Sequence, residues 1–229
     1  MDFEENIGHV RERIANACRR AGRRPEEVKL VAVSKTVPPD LIRRAFEAGL
    51  RDFGENRVQE ANAKRPALSD LTVTWHMVGH LQSNKAKLAR ELFHVVHSVD
   101  SLRLAQKLDQ AAVCSDDKLP VLLQVNLGDE LTKSGAREEE IGQLAEQVGR
   151  LRTLELRGLM VLPPFFEDPE QARPSFRRLR ELAKSLEALN LPNVSIQGLS
   201  MGMSHDFEIA IEEGATIVRI GTAIFGPRS

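Results

Sequence analysis

Near the N-terminus the apolar positions Phe3, Ile7, Val10, Ile14, Ala17 and Ala21 fall at intervals of four and three, which places them on one face of a helix. Gly22 and Pro25 end the run, as a left-handed cap and a residue that a helix cannot continue through. Beyond them, short apolar runs rich in β-branched residues alternate with segments of helical period. The pattern predicts strands at 29–36, 52–56, 74–80, 95–100, 120–127, 157–162, 195–200 and 217–225. Helices are predicted at 38–49, 56–66, 83–92, 101–114, 137–150, 170–190 and 204–213. Pro38-Pro39 opens the first of these and Gly49 closes it, the usual asymmetry of helix ends. Ala172, Phe176, Leu179, Ala183 and Leu186 form the clearest stripe. Ser204 reads as an N-cap and Gly214 as the end of the helix that follows it.

Eight strands joined by helical crossovers imply a parallel sheet, because parallel neighbours need such connections. Leu30–Val33 and Val121–Leu123 are apolar on both faces, as strands covered on both sides are. The expected fold is α/β, a single (β/α)8 barrel of TIM type over residues 1–229, near the usual size of about 250 residues. An open doubly wound sheet is the alternative. Three residues follow Gly226, so the N-terminal helix is expected to cover the last strand.

Composition narrows the functional classes. Lys and Arg total 32 against 33 Asp and Glu, a formal net charge of −1, whereas nucleic-acid binders usually carry a basic excess. Basic pairs such as Arg19-Arg20 and Arg177-Arg178 are flanked by acids and read as solvated helix faces. No apolar run approaches the roughly 20 residues of a membrane span. The N-terminal segment lacks the apolar centre of a signal peptide. Cys18 and Cys114 are the only cysteines, too few for a disulfide framework or a cysteine-based zinc site. A cytoplasmic location, with no nucleic-acid or membrane partner, is expected. The chain contains no tyrosine.

Lys35 closes the first predicted strand, on the same face as Val31 and Val33, so a period of two aims it into the barrel at its C-terminal rim. An amine in an apolar pocket suits Schiff-base chemistry; on spacing alone, a lysine turned outward into the loop is the simpler reading. Gly198-Leu199-Ser200-Met201-Gly202 matches the nucleophile elbow G-x-S-x-G. That motif needs a distant histidine downstream, and His205 lies only five positions after Ser200. A phosphate-binding turn fits the small residues better. Arg219 and Gly221 share the inward face of the eighth strand with Ile217. An arginine inside a barrel must meet an acceptor, so Gly221 and Thr222 are expected to complete an anion cup with Ser200; a structural Arg–carboxylate pair explains Arg219 equally well. His76 and His80 are four apart on a predicted strand without the H-E-x-x-H glutamate, so no metal site is expected.

The segments VAVSKT (31–36), FGENRVQEA (53–61), WHMVGHLQSNK (75–85), HSVDS (97–101), GLMVLPP (158–164), LSMGMSHDFEIAIEEGAT (199–216) and VRIGTAIFG (218–226) stand out together. They resemble the pyridoxal phosphate homeostasis protein family, related to the N-terminal barrel of alanine racemase. The resemblance spans nearly the whole chain in order. It implies pyridoxal 5′-phosphate as cofactor in a barrel of fold type III, with an extra N-terminal helix and no C-terminal β domain. Lys35 is then similar to the lysine that forms the internal aldimine. Ser200, Gly221 and Thr222 resemble the phosphate cup, Arg219 the residue facing the pyridine nitrogen, and Asn56 and Met201 lie in segments approaching the cofactor. His80, Gln82, Asn84 and Lys133 match the family pattern without a role.

An arginine against the pyridine nitrogen holds it unprotonated, which weakens the ring as an electron sink. Alanine racemases also use a tyrosine as second acid/base, and this chain has none. The expectation is a non-catalytic, monomeric binder that stores pyridoxal phosphate or passes it to dependent apoenzymes. A racemase is the main alternative, and a Schiff-base aldolase the third reading.

Overall fold

The structure, a computed structural model, describes residues 3–112, 117–128 and 134–226; Cys114 and Lys133 lie outside them. All eight predicted strands form: β1 (Lys29–Val33), β2 (Asp52–Glu55), β3 (Thr74–Met77), β4 (Val95–Val99), β5 (Leu119–Asn126), β7 (Leu154–Val161), β8 (Val194–Met203) and β9 (Ile217–Ile220). A two-residue strand, β6 (Ala136–Arg137), adds to the side of β5. Every pairing is parallel, and β4 pairs with β5 while β9 pairs with β1. The sheet therefore closes into an eight-stranded barrel, with β6 outside the ring.

Helices α1 (Phe3–Arg20), α2 (Pro39–Glu47), α3 (Val58–Lys64), α4 (Ala86–Leu92), α5 (Leu102–Gln110), α6 (Ile141–Gly149), α7 (Arg173–Glu187), α8 (Phe207–Glu212) and α9 (Thr222–Phe225) surround it. The core lies between strands and helices. Phe176, Leu179, Ala183 and Leu186 of α7 are buried there, as their stripe predicts. No described helix is long and apolar enough to cross a membrane.

The stripe of α1 packs on the barrel. Phe3, Ile7, Val10, Ile14 and Ala17 are buried, the helix lies against α8 and α9, and Phe3 meets the Phe225 ring edge-on at 6.0 Å. The predicted strand 217–225 is too long: β9 ends at Ile220 and Thr222–Phe225 is one helical turn. An apolar run this short fits either period. Here Gly221 leaves the extended region at φ −114°, ψ −77°, and Ile224 and Phe225 turn onto the α1 side.

Gly158 marks the tightest approach between barrel strands. A methyl group on it would lie 1.9 Å from the Gly198 carbonyl oxygen on β8, and strand backbone cannot yield as a flexible side chain can. Gly158→Ala is expected to cost about 3 kcal/mol or more. Urea unfolding checks this, and a loss under about 0.5 kcal/mol would contradict the packing.

Candidate functional site

Lys35 sits just past the C-terminal end of β1. The ladder continues one residue beyond the strand through Ser34 N–H donating to Gly54 O at 2.9 Å. The chain then turns sharply, with Thr36 in the left-handed region at φ +63°, a conformation that costs a non-glycine residue about 1 kcal/mol or more. A buried ionic cluster holds it there. Lys64 Nζ donates to Ser34 O at 2.7 Å, to Glu55 Oε1 at 2.9 Å and to Glu60 Oε1 at 2.5 Å. Ser34 Oγ donates to Glu55 Oε1 at 2.7 Å, and Thr36 N–H donates to Glu60 Oε1. Both backbone sides of Lys35 are thus fastened to α3. Burial pushes the Glu55 carboxyl up against the pull of Ser34 and Lys64, and its second oxygen is buried without a partner.

From this turn Lys35 lines a cleft of about 180 Å³ together with Gly221, Thr222 and Phe225. The pairing explains the juxtaposition, since β9 lies beside β1 with Arg219 opposite Val31. On the other side of β9, the chain after Ser200 makes a turn that only glycine accommodates. Gly202 has φ +91°, and a methyl there would lie 2.8 Å from Phe207 Cα. The turn delivers Ser204, whose Oγ accepts the Gly221 N–H at 3.3 Å and the Ala223 N–H at 3.4 Å. Contrary to the expectation from sequence, Ser204 therefore does not cap the helix that follows it: α8 starts at Phe207, with Asp206 before it. Two amides converging on one oxygen, at a segment that shares its cleft with a lysine, mark a place suited to an anionic group.

Ser200 lies elsewhere. It is fully buried inside the barrel, where its Oγ accepts from Arg219 Nη1 at 2.6 Å and contacts His97 Nδ1 at 2.9 Å. Arg219 is buried too, and Nη2 donates to Val161 O at 2.9 Å. Burial lowers its pKa to about 10, with Asp206 opposing the shift, so it stays charged at neutral pH. The guanidinium is thus held in the barrel interior by Ser200 and Val161. Met201, opposite in parity to Ser200, is buried in the core. Asn56, after β2, opens onto a neighbouring hollow of about 620 Å³ with Arg57, His80, Gln82 and Lys85. His80 pairs with Asp100 at 3.4 Å.

Two buried histidines were missed as site residues. His76 Nδ1 lies 2.9 Å from His97 Nε2, and His76 Nε2 lies 3.0 Å from Asp52 Oδ1. Their signal was a polar residue in the middle of an apolar strand, which is rarely accidental. Burial pushes the pKa of His76 down and that of His97 well below 6.5. Neutral rings in the folded state and charged ones in the unfolded state set the sign. Their contribution is fully present above 6.5 and is lost as pH falls from there toward the depressed values. Urea unfolding should show stability falling between about pH 7 and 5. His97→Gln should flatten the slope by up to about 1.4 kcal/mol per pH unit, and an unchanged slope would count against a neutral His97.

The family model described as alanine racemase, N-terminal domain, matches residues 6–229. The pyridoxal phosphate homeostasis protein of Aquifex aeolicus is 48% identical, covering 100% of this chain and 99% of that one. The protein of that name from Escherichia coli strain K12 is 44% identical, over 99% and 97%. Among solved structures, PipY of Synechococcus elongatus PCC7942 with PLP bound superposes with a TM-score of 0.86 at 39% identity, over 98% of this chain and 100% of PipY. Alanine racemase of Clostridium difficile 630 shares the fold, with a TM-score of 0.74 at 17% identity, over 99% of this chain and 56% of that one. A closed barrel that places Lys35 beside Gly221 and Thr222, together with these full-length likenesses, establishes that the chain belongs to the pyridoxal phosphate homeostasis protein family.

Proposed function

We propose that this chain binds pyridoxal 5′-phosphate and serves its homeostasis as a single-domain cytoplasmic monomer, holding the cofactor for dependent apoenzymes without catalysing a reaction on it. The observation that carries this reading is the shared cleft of Lys35, Gly221 and Thr222, with Arg219 buried two residues before Gly221 on the neighbouring strand. The residues fit the group. Lys35 Nζ would be the amine that bonds the aldehyde carbon, with loss of one water. The phosphate would be held at the Gly221–Thr222 segment, where the Ser204 hydroxyl now occupies the Gly221 and Ala223 amides. Arg219 would be the donor for the ring nitrogen, and Asn56, after β2, and the strand carrying Met201 would approach the ring from either side. In this reading the hydroxyl of Ser200 serves Arg219, and the cup hydroxyl is that of Ser204.

The bound cofactor supplies an aldehyde and a ring able to draw electrons from an attached group. The protein does little to strengthen that pull, because a charged arginine leaves the ring nitrogen unprotonated. Racemisation also needs an acid/base on each face of the reacting carbon. The sequence contains no tyrosine to supply the second. Loaded protein in deuterium oxide should exchange the α-protons of alanine, serine and glutamate no faster than an equal concentration of free pyridoxal phosphate. Exchange at least about a hundredfold faster, the scale of general acid–base assistance, would make the protein a racemase-type enzyme instead.

A further inference from the structure

The barrel interior holds an unbroken run of side-chain hydrogen bonds from Arg219 to Asp52, and its direction follows from the chemistry of each partner. The Arg219 guanidinium can only donate, so Nη1–H gives to Ser200 Oγ at 2.6 Å. Ser200 directs its own proton to His97 Nδ1, 2.9 Å away. His97, neutral and accepting at Nδ1, carries its proton on Nε2 and donates to His76 Nδ1 at 2.9 Å. His76 in turn donates from Nε2 to Asp52 Oδ1 at 3.0 Å. Reversing the run would set a ring lone pair against the Asp52 carboxylate and leave the Ser200 proton without an acceptor. Arg219, Ser200, His97 and His76 are all buried, where aligned hydrogen bonds reinforce one another. The run ends at the N-terminal ends of β1 and β2, where Asp52 Oδ1 also accepts from Lys29 Nζ at 3.0 Å.

We propose that Ser200, His97, His76 and Asp52 are positioning residues for Arg219, through which the Asp52 carboxylate fixes how the guanidinium meets the ring nitrogen of bound pyridoxal phosphate. The proposal rests on the reading that Arg219 faces that ring. None of the four touches the cofactor; each acts through the next. A carboxylate at the far end of the barrel then tunes cofactor retention without contact.

Two measurements test this. Nitrogen-15 NMR of the histidine side chains in the cofactor-free protein should show His76 and His97 neutral with the proton on Nε2. A proton on Nδ1 of either ring overturns the run. Release of pyridoxal phosphate is then timed, from its visible absorbance, in the wild type, Asp52→Asn, Ser200→Ala and the double variant. Asp52→Asn should release it on the order of fivefold faster, and should have no further effect once Ser200→Ala has cut the run, the non-additivity of coupled residues. Equal release from Asp52→Asn and wild type, or full additivity in the double variant, overturns the proposal. A wild type that takes up no pyridoxal phosphate overturns the binding reading and the ligand end of the proposal together, while the tautomers still decide the run itself.

Discussion

Replacing Lys35 by alanine will abolish covalent retention of pyridoxal phosphate while the barrel stays folded. The side chain is half-buried in a turn after β1, so its loss removes little packing, and stability should change by less than about 1 kcal/mol. The chemistry has no substitute. Only a positioned amine can form and release the bond to the aldehyde, and the buried Lys64 is committed to Ser34 O, Glu55 and Glu60. After mixing with pyridoxal phosphate and gel filtration, the variant should carry cofactor only at the background of surface lysines. Noncovalent binding through the phosphate donors should persist with weaker affinity. Retention at the wild-type level would show that another lysine is the anchor.

Lys64→Ala is expected to cause the largest loss of stability, about 3–5 kcal/mol, because it strands a buried carboxylate. Glu55 is fully buried and Lys64 nearly so. Glu55 already has one oxygen without a partner, so losing Lys64 leaves it the Ser34 hydroxyl alone. The same change releases Ser34 O and loosens the carboxylate that holds Thr36 N–H, so cofactor loading should fall with stability. Replacing both partners together, as Glu55→Gln with Lys64→Met, should recover most of the loss, since removing a buried pair whole is far less costly than breaking it. Thermal unfolding with parallel cofactor titration reads both effects. A loss under about 1 kcal/mol for Lys64→Ala would mean that the pair is not buried as described.

Both the barrel and the meeting of Lys35 with Gly221 and Thr222 were legible in the chain, for the same physical reason. Parallel strands need crossovers of visible helical period, and closure then forces the first and last strands together, so Lys35 and Gly221 had to be neighbours. The period of two also placed Arg219 inside correctly. Ser200 and Ser204 could not be sorted this way. Ser200 obeys strand parity and turns into the barrel, whereas Ser204 follows a left-handed glycine that resets the direction of the chain. Its helix-cap look came from composition, and its actual partners are the amides of Gly221, just after β9, and Ala223 on α9. The Glu55–Lys64 cluster was hidden likewise: Glu60 and Lys64 form an ordinary i,i+4 helix pair, and only the fold reveals that it closes over Ser34 and Thr36. His76 and His97 are polar residues within apolar strands, but which residue each meets depends on barrel stagger, which residue spacing within a strand does not encode.

The measurement closest to the central claim is hydride reduction of the protein loaded with pyridoxal phosphate, followed by peptide mass mapping. The account predicts a yellow protein that bleaches on adding borohydride and carries one pyridoxyl group, on Lys35. A protein that stays colourless after incubation with the cofactor, or whose reduced adduct lies on another lysine, would contradict it.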